Sequence, residues 1–426
     1  MAITQFALLS GSFIAVFLTG QYGTTDLAGV SIGYNIWIAL YVFAMGTLLG
    51  ITPIIAQLLG ARKADAIGLI IQQSLYVGTG LALLIWLLGY FYMEPFLTFL
   101  NMNLNAYDVC VSYLKAFSIG LFPILWGCSL RNTIDSHGLT HYSMAIVVFS
   151  FALNIFFNYA LIFGKFGLPE LGGVGAGYSV AITCWINFSL YSLVLLCHPK
   201  FKEYHLFSKW YGPQWVYIRE QLAIGIPIGA SIFFEASIFS IAGLLMVRFG
   251  TSVVAAHQSA LSFTNIFYCF PLSISMASTI AVAYELGAKK PTEAMQYSYI
   301  ARGTALVVAT LLCSFSFTHM NEIADLFTSD PDVFQLILSF MSYAVFFAAI
   351  DAFGTPLQGI LRAYKDVNSI SYISIFSYWG VCFPVAYILS NMPTFGPYGV
   401  WIGLLSSVST ASILFTIRTW YVQHKK

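Results

Sequence analysis

Two acids sit inside apolar stretches of this sequence. Glu235 lies within Gly225–Gln258, GIPIGASIFFEASIFSIAGLLMVRFGTSVVAAHQ, a run long enough to cross a bilayer, roughly midway between Arg219 and Arg248. An aspartate at such a depth is unfavourable by ~2.5–3.5 kcal/mol on insertion scales, so intramembrane acids are kept for pairing, ion passage or ligand binding. Asp351 is the second, eleven residues before Arg362 in another apolar run. Asp351, Thr355, Gln358 and Arg362 follow at spacings of four, three and four, which places them on one helical face. Pro356 removes an amide and pushes its ring against the carbonyl of Ala352, beside Gly354. Backbone oxygens freed in this way, next to carboxylates, suit an alkali cation. The chemistry expected of Glu235 and Asp351 is therefore reversible uptake of a cation, Na⁺ or H⁺. The plainer alternatives are a protonated Glu235 bonded to a neighbouring helix, and a simple proline kink with Asp351 bonded locally.

Other polar groups lie near the two acids in sequence. Gln258, Thr264, Asn265 and Tyr268 precede Pro271, and Pro227 sits among Gly225, Gly229, Ala230 and Ser231, which permit bending and close helix contact. Aromatic residues crowd this half, Phe233, Phe234, Phe239, Phe263, Phe267, Phe346 and Phe347 among them. Acids within aromatic walls suit a lipophilic organic cation, with cation–π attraction of ~2 kcal/mol or more when desolvated. In the first half, Asn154 and Asn158 stand one turn apart, and Asn35 precedes them; interhelical hydrogen bonding and ligand binding are both open to these. His137 and His141 have metal-like spacing but no companion ligands, so they read as solvated loop residues. The run GGVGAG at 172–177 follows no strand and is not a nucleotide loop. With no Walker A motif, triad or metal cluster, neither an ATP-driven pump nor an enzyme is expected, and no cofactor is implied.

The elements that must hold these residues follow from composition. Only 8% of the 426 residues are charged and 59% are hydrophobic, which no soluble surface can accommodate. Apolar runs recur throughout and predict an all-α polytopic membrane protein with twelve transmembrane helices, near 2–20, 27–59, 66–92, 107–132, 141–164, 175–197, 218–248, 252–286, 292–318, 332–362, 368–391 and 399–421. The first run carries no basic lead or cleavage site, so it reads as a helix and not a cleaved signal. Seven scattered cysteines read as small core residues. A formal net charge of +1 argues against a nucleic-acid partner.

Arg62, Lys63, Arg131, Lys200, Lys202, Lys209, Lys289, Lys290, Arg362, Lys365, Arg418, Lys425 and Lys426 all fall on one side of this arrangement. The opposite loops hold little beyond Lys165 and Arg248, and one is rich in acids, Glu322, Asp325, Asp330 and Asp332. Both termini are thus expected to be cytoplasmic, with bacterial inner-membrane placement. A repeat runs through the chain at a shift of 227: Tyr22-Gly-Thr-Thr-Asp-Leu-Ala matches Phe249-Gly-Thr-Ser-Val-Val-Ala, and Leu59-Gly-Ala-Arg-Lys matches Leu286-Gly-Ala-Lys-Lys. Leu130-Arg131 with Asp135 recurs as Leu361-Arg362 with Asp366, and Gly172 and Gly175 as Gly396 and Gly399. Six helices per half predict two pseudo-symmetric lobes, 1–197 and 218–426, joined by a cytoplasmic linker at 198–217.

Several of these stretches resemble the multidrug and toxic compound extrusion (MATE) family, in particular its NorM-type bacterial branch. The resemblance covers nearly the whole chain and is carried by Gly50-Ile-Thr-Pro-Ile-Ile-Ala-Gln57, Leu168-Pro-Glu-Leu-Gly-Gly-Val-Gly175, Ile226-Pro-Ile-Gly229 with Phe233-Phe-Glu235, Val254-Ala-Ala-His-Gln258 and Leu361-Arg-Ala-Tyr-Lys-Asp366. It implies export of cationic drugs and dyes in exchange for Na⁺ or H⁺ by a protein expected to act as a monomer. By the same resemblance Glu235 and Asp351 are the acids of the C-terminal lobe, Tyr268 faces a bound cation, Gln258 and Phe347 line the cavity, and Asn154 and Asn158 are polar positions of the N-terminal lobe. Family members carry an aspartate in the first helix two positions after the phenylalanine that aligns with Phe13, where this chain has Ala15. The chain also starts late against the family pattern, short of part of the first helix. The runner-up reading is a flippase of lipid-linked saccharides, which would be expected to line its cavity with arginines.

Overall fold

The computed structural model describes residues 1–99, 103–204, 206, 210–328 and 330–424; Lys209, Lys425 and Lys426 lie outside the described residues, as do the side chains of residues 9, 10, 12, 13, 99 and 332, Phe13 and Asp332 among them. The described chain is helical, with no strand. The spans are α1 (Ala2–Tyr22), α2 (Thr24–Gly60), α3 (Asp65–Phe99), α4 (Leu104–Ser118 with Leu121–Ser136), α5 (Thr140–Phe163), α6 (Gly173–Cys197), α7 (Trp215–Val247), α8 (Thr251–Gly287), α9 (Pro291–Thr318), α10 (Pro331–Ala363), α11 (Val367–Ser390) and α12 (Tyr398–His424).

Among the described residues ten of these are long and apolar enough to cross a membrane, and α4 adds a further span bent by 47°. At 21 residues, α1 also reaches across a hydrocarbon core of ~30 Å. The spans follow the twelve predicted ones, except that α3 continues through Pro95 to Phe99 instead of stopping near 92. Two interruptions share one cause. Pro53 leaves the carbonyl of Leu49 without its helical donor, and α2 breaks at Gly50. Pro123 does the same to Ile119, where α4 bends. Large apolar side chains such as Leu84, Leu87, Leu306 and Leu311 are exposed along α3 and α9, as a lipid-facing surface requires.

The chain divides into two compact units, Ile3–Gly229 and Ala230–Lys426. The first has a core built from Trp37, Leu48, Tyr113, Phe117 and Leu121. In it α2 and the start of α7 touch backbone to backbone: a Cβ on Gly225 would overlap the carbonyl oxygen of Thr47, so only glycine permits the crossing. The segment after α6 is strapped to α3. Gln72 donates to Leu206 O (2.6 Å) and accepts from Tyr211 N (2.8 Å), while Gln73 donates to Gly212 O (3.0 Å) and accepts from Gln214 N (2.7 Å). His137, expected to be solvated, belongs to this strap. Its Nδ1 lies 2.7 Å from Thr133 O and its Nε2 2.9 Å from Tyr204 Oη, with Phe201 edge-on at 4.6 Å. The sequence pattern missed this because its partner stands 67 residues away.

The second unit has its core around Phe340, Trp401, Ile238 and Phe263. Here α8 and α10 meet at Gly359, where a Cβ would overlap Ser275 O. In α11 the turns Ile375–Cys382 are widened to π-helix just before Pro384, which cannot supply the next amide.

The repeat is visible as matching hydrogen bonds. Ala61, Arg62 and Lys63 donate to Gln57, Leu59 and Leu58, and Ala288, Lys289 and Lys290 donate to Tyr284, Leu286 and Glu285. Arg62 and Lys289 are both left-handed, at φ 56° and 59°. The turns after α4 and α10 correct one sequence match. Leu139 N bonds to Ile134 O and Asp366 N to Leu361 O, with Gly138 and Lys365 at positive φ, so the shift of 227 persists here. Arg131 therefore corresponds to Gln358 and Asp135 to Arg362, one turn away from the pairing that letter identity suggested.

Candidate functional site

In the second unit α10 runs unbroken through Pro356, and its polar stripe is buried: Asp351, Thr355, Gln358 and Arg362 are 5%, 1%, 4% and 3% exposed. Thr355 Oγ1 donates to Asp351 Oδ1 at 3.0 Å, and Arg362 Nη2 donates to Gln358 Oε1 at 3.3 Å. Glu235, half-buried on α7, lies near Gln358 and within the electrostatic reach of Asp351 and Arg362. Tyr268 of α8 is coupled to the same three charged groups. Five elements of the sequence reading thus come together: Glu235, Asp351, Thr355, Gln358 and Tyr268. Among the described residues no group of three or more His, Cys, Asp and Glu gathers, so a Na⁺ here would draw on carboxylate, hydroxyl and amide oxygens.

One residue of this cluster went unrecognised in the sequence, and another was placed on the polar stripe without its burial. Tyr378, on the π-helical part of α11, is 2% exposed and lies within electrostatic reach of Glu235, Asp351 and Tyr268. A phenol six residues before Pro384 in an apolar run was the available signal. Arg362 was counted with the cytoplasmic basic residues, yet it is buried at the foot of the acid stripe.

The remaining candidates make contacts of their own. Phe347 is 4% exposed and packs edge-on against Phe239 at 5.8 Å, as part of the apolar core. Gln258 is exposed, with its amide over Gly243. It stands ten residues, ~15 Å along α8, from Tyr268. In the first unit Asn158 Nδ2 donates to Asn154 O (2.8 Å) and Oδ1 (2.9 Å), and Ser179 Oγ of α6 donates to Asn154 O (3.2 Å). Asn154 knits α5 to α6 while Asn158 bonds back to it within α5, and Asn158 Oδ1 is buried with no partner among the described residues. At the end of α1 and start of α2, Tyr22 Oη donates to Glu170 (3.0 Å) and Asp26 caps α6 through Gly173 N (2.6 Å).

A chain of two repeated helical units, with two intramembrane acids gathered in one of them, defines a polytopic membrane protein of carrier type. The MatE family model matches residues 1–160 and 227–388, and the chain belongs to that family. It is 39% identical to a probable multidrug resistance protein NorM of Halalkalibacterium halodurans over 99% of this chain and 92% of the relative. A probable NorM of Oceanobacillus iheyensis is 37% identical, over 99% and 95%. The fold is also that of a solved outward-facing multidrug resistance MATE family transporter, with TM-score 0.89 over 100% of this chain and 95% of that one at 18% identity. The twelve-helix, two-lobe MATE arrangement is therefore the fold of this protein.

Proposed function

We propose that this protein is a multidrug efflux antiporter that expels organic cations in exchange for Na⁺ or H⁺. Family membership and the NorM relatives support the transport class. The observation that carries the mechanism is the gathering of Glu235, Asp351 and Tyr268 at one buried polar stripe of α10. Either acid can be balanced by a coupling cation or by the organic cation, and tyrosine faces offer the latter cation–π contact. Occupancy by one kind of cation excludes the other. Coupling follows when the two favour conformations open to opposite sides of the membrane. The lobes 1–197 and 218–426, the linker 198–217, cytoplasmic termini, placement in the bacterial inner membrane and action as a monomer complete the proposal.

The flippase alternative is not favoured: the relatives are named for drug resistance, and the described cluster carries more acid than base. The test is efflux of a cationic dye from everted vesicles under imposed Na⁺ or pH gradients. Wild type should show gradient-driven efflux that Glu235→Gln and Asp351→Asn lose; activity independent of both acids would refute the mechanism.

A further inference from the structure

We infer that the ends of α9 and α12 that are cytoplasmic in the proposed orientation form a binding site for the headgroup of an anionic phospholipid, with Arg302 meeting its phosphate. Gln423 Nε2 of α12 donates to Ser298 Oγ of α9 at 2.7 Å and ties the two helices together. Arg302 stands four residues after Ser298, and Arg418 five before Gln423 on a helix that crosses in the opposite sense. Both arginines therefore lie ~6–7.5 Å from that bond toward the bilayer centre, at one level. Each is set over a tyrosine: Arg302 is 4.6 Å from the Tyr299 ring and Arg418 5.2 Å from that of Tyr421. Tyr297 and Trp420 add exposed rings here, while the exposed side chains further in are aliphatic, Leu306 and Val307 on α9 and Ile413 and Ile417 on α12. A change from aromatic to aliphatic surface marks the boundary between headgroups and hydrocarbon.

The two arginines differ in what holds them. Arg418 is spent on Asp366, with Nε 2.6 Å from Oδ2. Arg302 has no acid partner among the described residues. Its Nε reaches only Ser298 O of its own helix, at 3.4 Å, and its terminal nitrogens have no hydrogen-bond partner among the described residues. Glu293, the acid of α9, is taken by Lys290 at 2.9 Å and stands ~13.5 Å along the helix. Nothing lies within 4 Å of where a Cβ on Gly303 would stand, so the face beside Arg302 is uncrowded. A guanidinium keeps its charge even at a lipid-facing position, and its fork of donors matches phosphate oxygens. A zwitterionic lipid brings its own ammonium to its phosphate, whereas an anionic lipid leaves that charge for Arg302 to oppose.

Native mass spectrometry of the purified full-length protein, titrated with phosphatidylglycerol or phosphatidylcholine, supplies the test. The wild type should bind its first phosphatidylglycerol about fivefold or more tightly than phosphatidylcholine, the preference expected of one basic charge at a membrane surface. Arg302→Gln should erase that preference and Arg302→Lys should keep it, while Arg219→Gln, at an exposed arginine of α7, leaves it unchanged. Phosphatidylglycerol should also raise the Tm of the wild type in detergent more than that of Arg302→Gln, because a ligand stabilises the form that binds it. Equal affinity of the wild type for the two lipids would overturn the inference, and needs no variant to fold. So would a folded Arg302→Gln that keeps the preference. Release of the bound lipid by excess inorganic phosphate would make this a site for free phosphate and overturn the lipid as its occupant.

Discussion

The corresponding faces of α4 and α10 use the same scaffold for different ends. At the shift of 227, Arg131 stands where α10 has Gln358, and Asp135 where it has Arg362. In the first unit the charges stand side by side, with Arg131 Nε 3.9 Å from Asp135 and Ser143 donating to the acid. In the second unit Asp351 is met by the Thr355 hydroxyl, and Arg362 donates to the amide oxygen of Gln358. An acid beside an arginine already has its charge opposed. An acid held by neutral donors keeps its appetite for a cation, and this is why function is placed in the second unit. Asn154 and Asn158 strengthen the contrast, because their donors are turned on the protein itself.

The contrast can be broken by moving charge. The largest effect is expected from Asp351→Asn or Glu235→Gln, which should lower gradient-driven dye efflux by at least about tenfold while Asp135→Asn leaves ion coupling intact. That last change should appear as instability: removing one partner of a buried pair is worth ~3–5 kcal/mol, read as a lowered Tm in detergent. Tyr378→Phe removes a hydroxyl within electrostatic reach of the acids and should weaken dye binding several-fold with little change in Tm, measured by equilibrium binding. Asn154→Ala should cost stability of about 1 kcal/mol, as for a lost interhelical bond, and leave coupling unchanged.

An effect that depends on pH is expected at the strap. Burial pushes the His137 imidazole down to about 4, with Lys200 and His198 adding to it and the bond to Thr133 O opposing. A base whose folded pKa is lowered from 6.5 binds protons more readily when unfolded, so its contribution to stability shrinks as pH falls from about 6.5 toward 4. Thermal unfolding of wild type should therefore fall more steeply over that window than that of His137→Gln.

Much of this was legible beforehand. The twelve spans follow from apolar runs, and the polar stripe of α10 from spacing alone, because a four-three-four interval on a helix has one geometric meaning. Tyr378 was not, since periodicity assumes a regular helix and its turn is widened. His137 and the burial of Arg362 depend on partners distant in sequence or on packing around a helix end, which local patterns do not encode. Phe347, an aromatic near an acid in sequence, packs edge-on against Phe239 in the same apolar core that holds Tyr378.

The most direct measurement is dye efflux from everted vesicles carrying the wild type, Glu235→Gln, Asp351→Asn or Asp135→Asn, with Na⁺ and pH gradients imposed separately. Loss of gradient-driven efflux in the first two variants, with Asp135→Asn still coupled, is the result expected here. Efflux that survives both second-unit changes, or that disappears only with Asp135, would contradict the account.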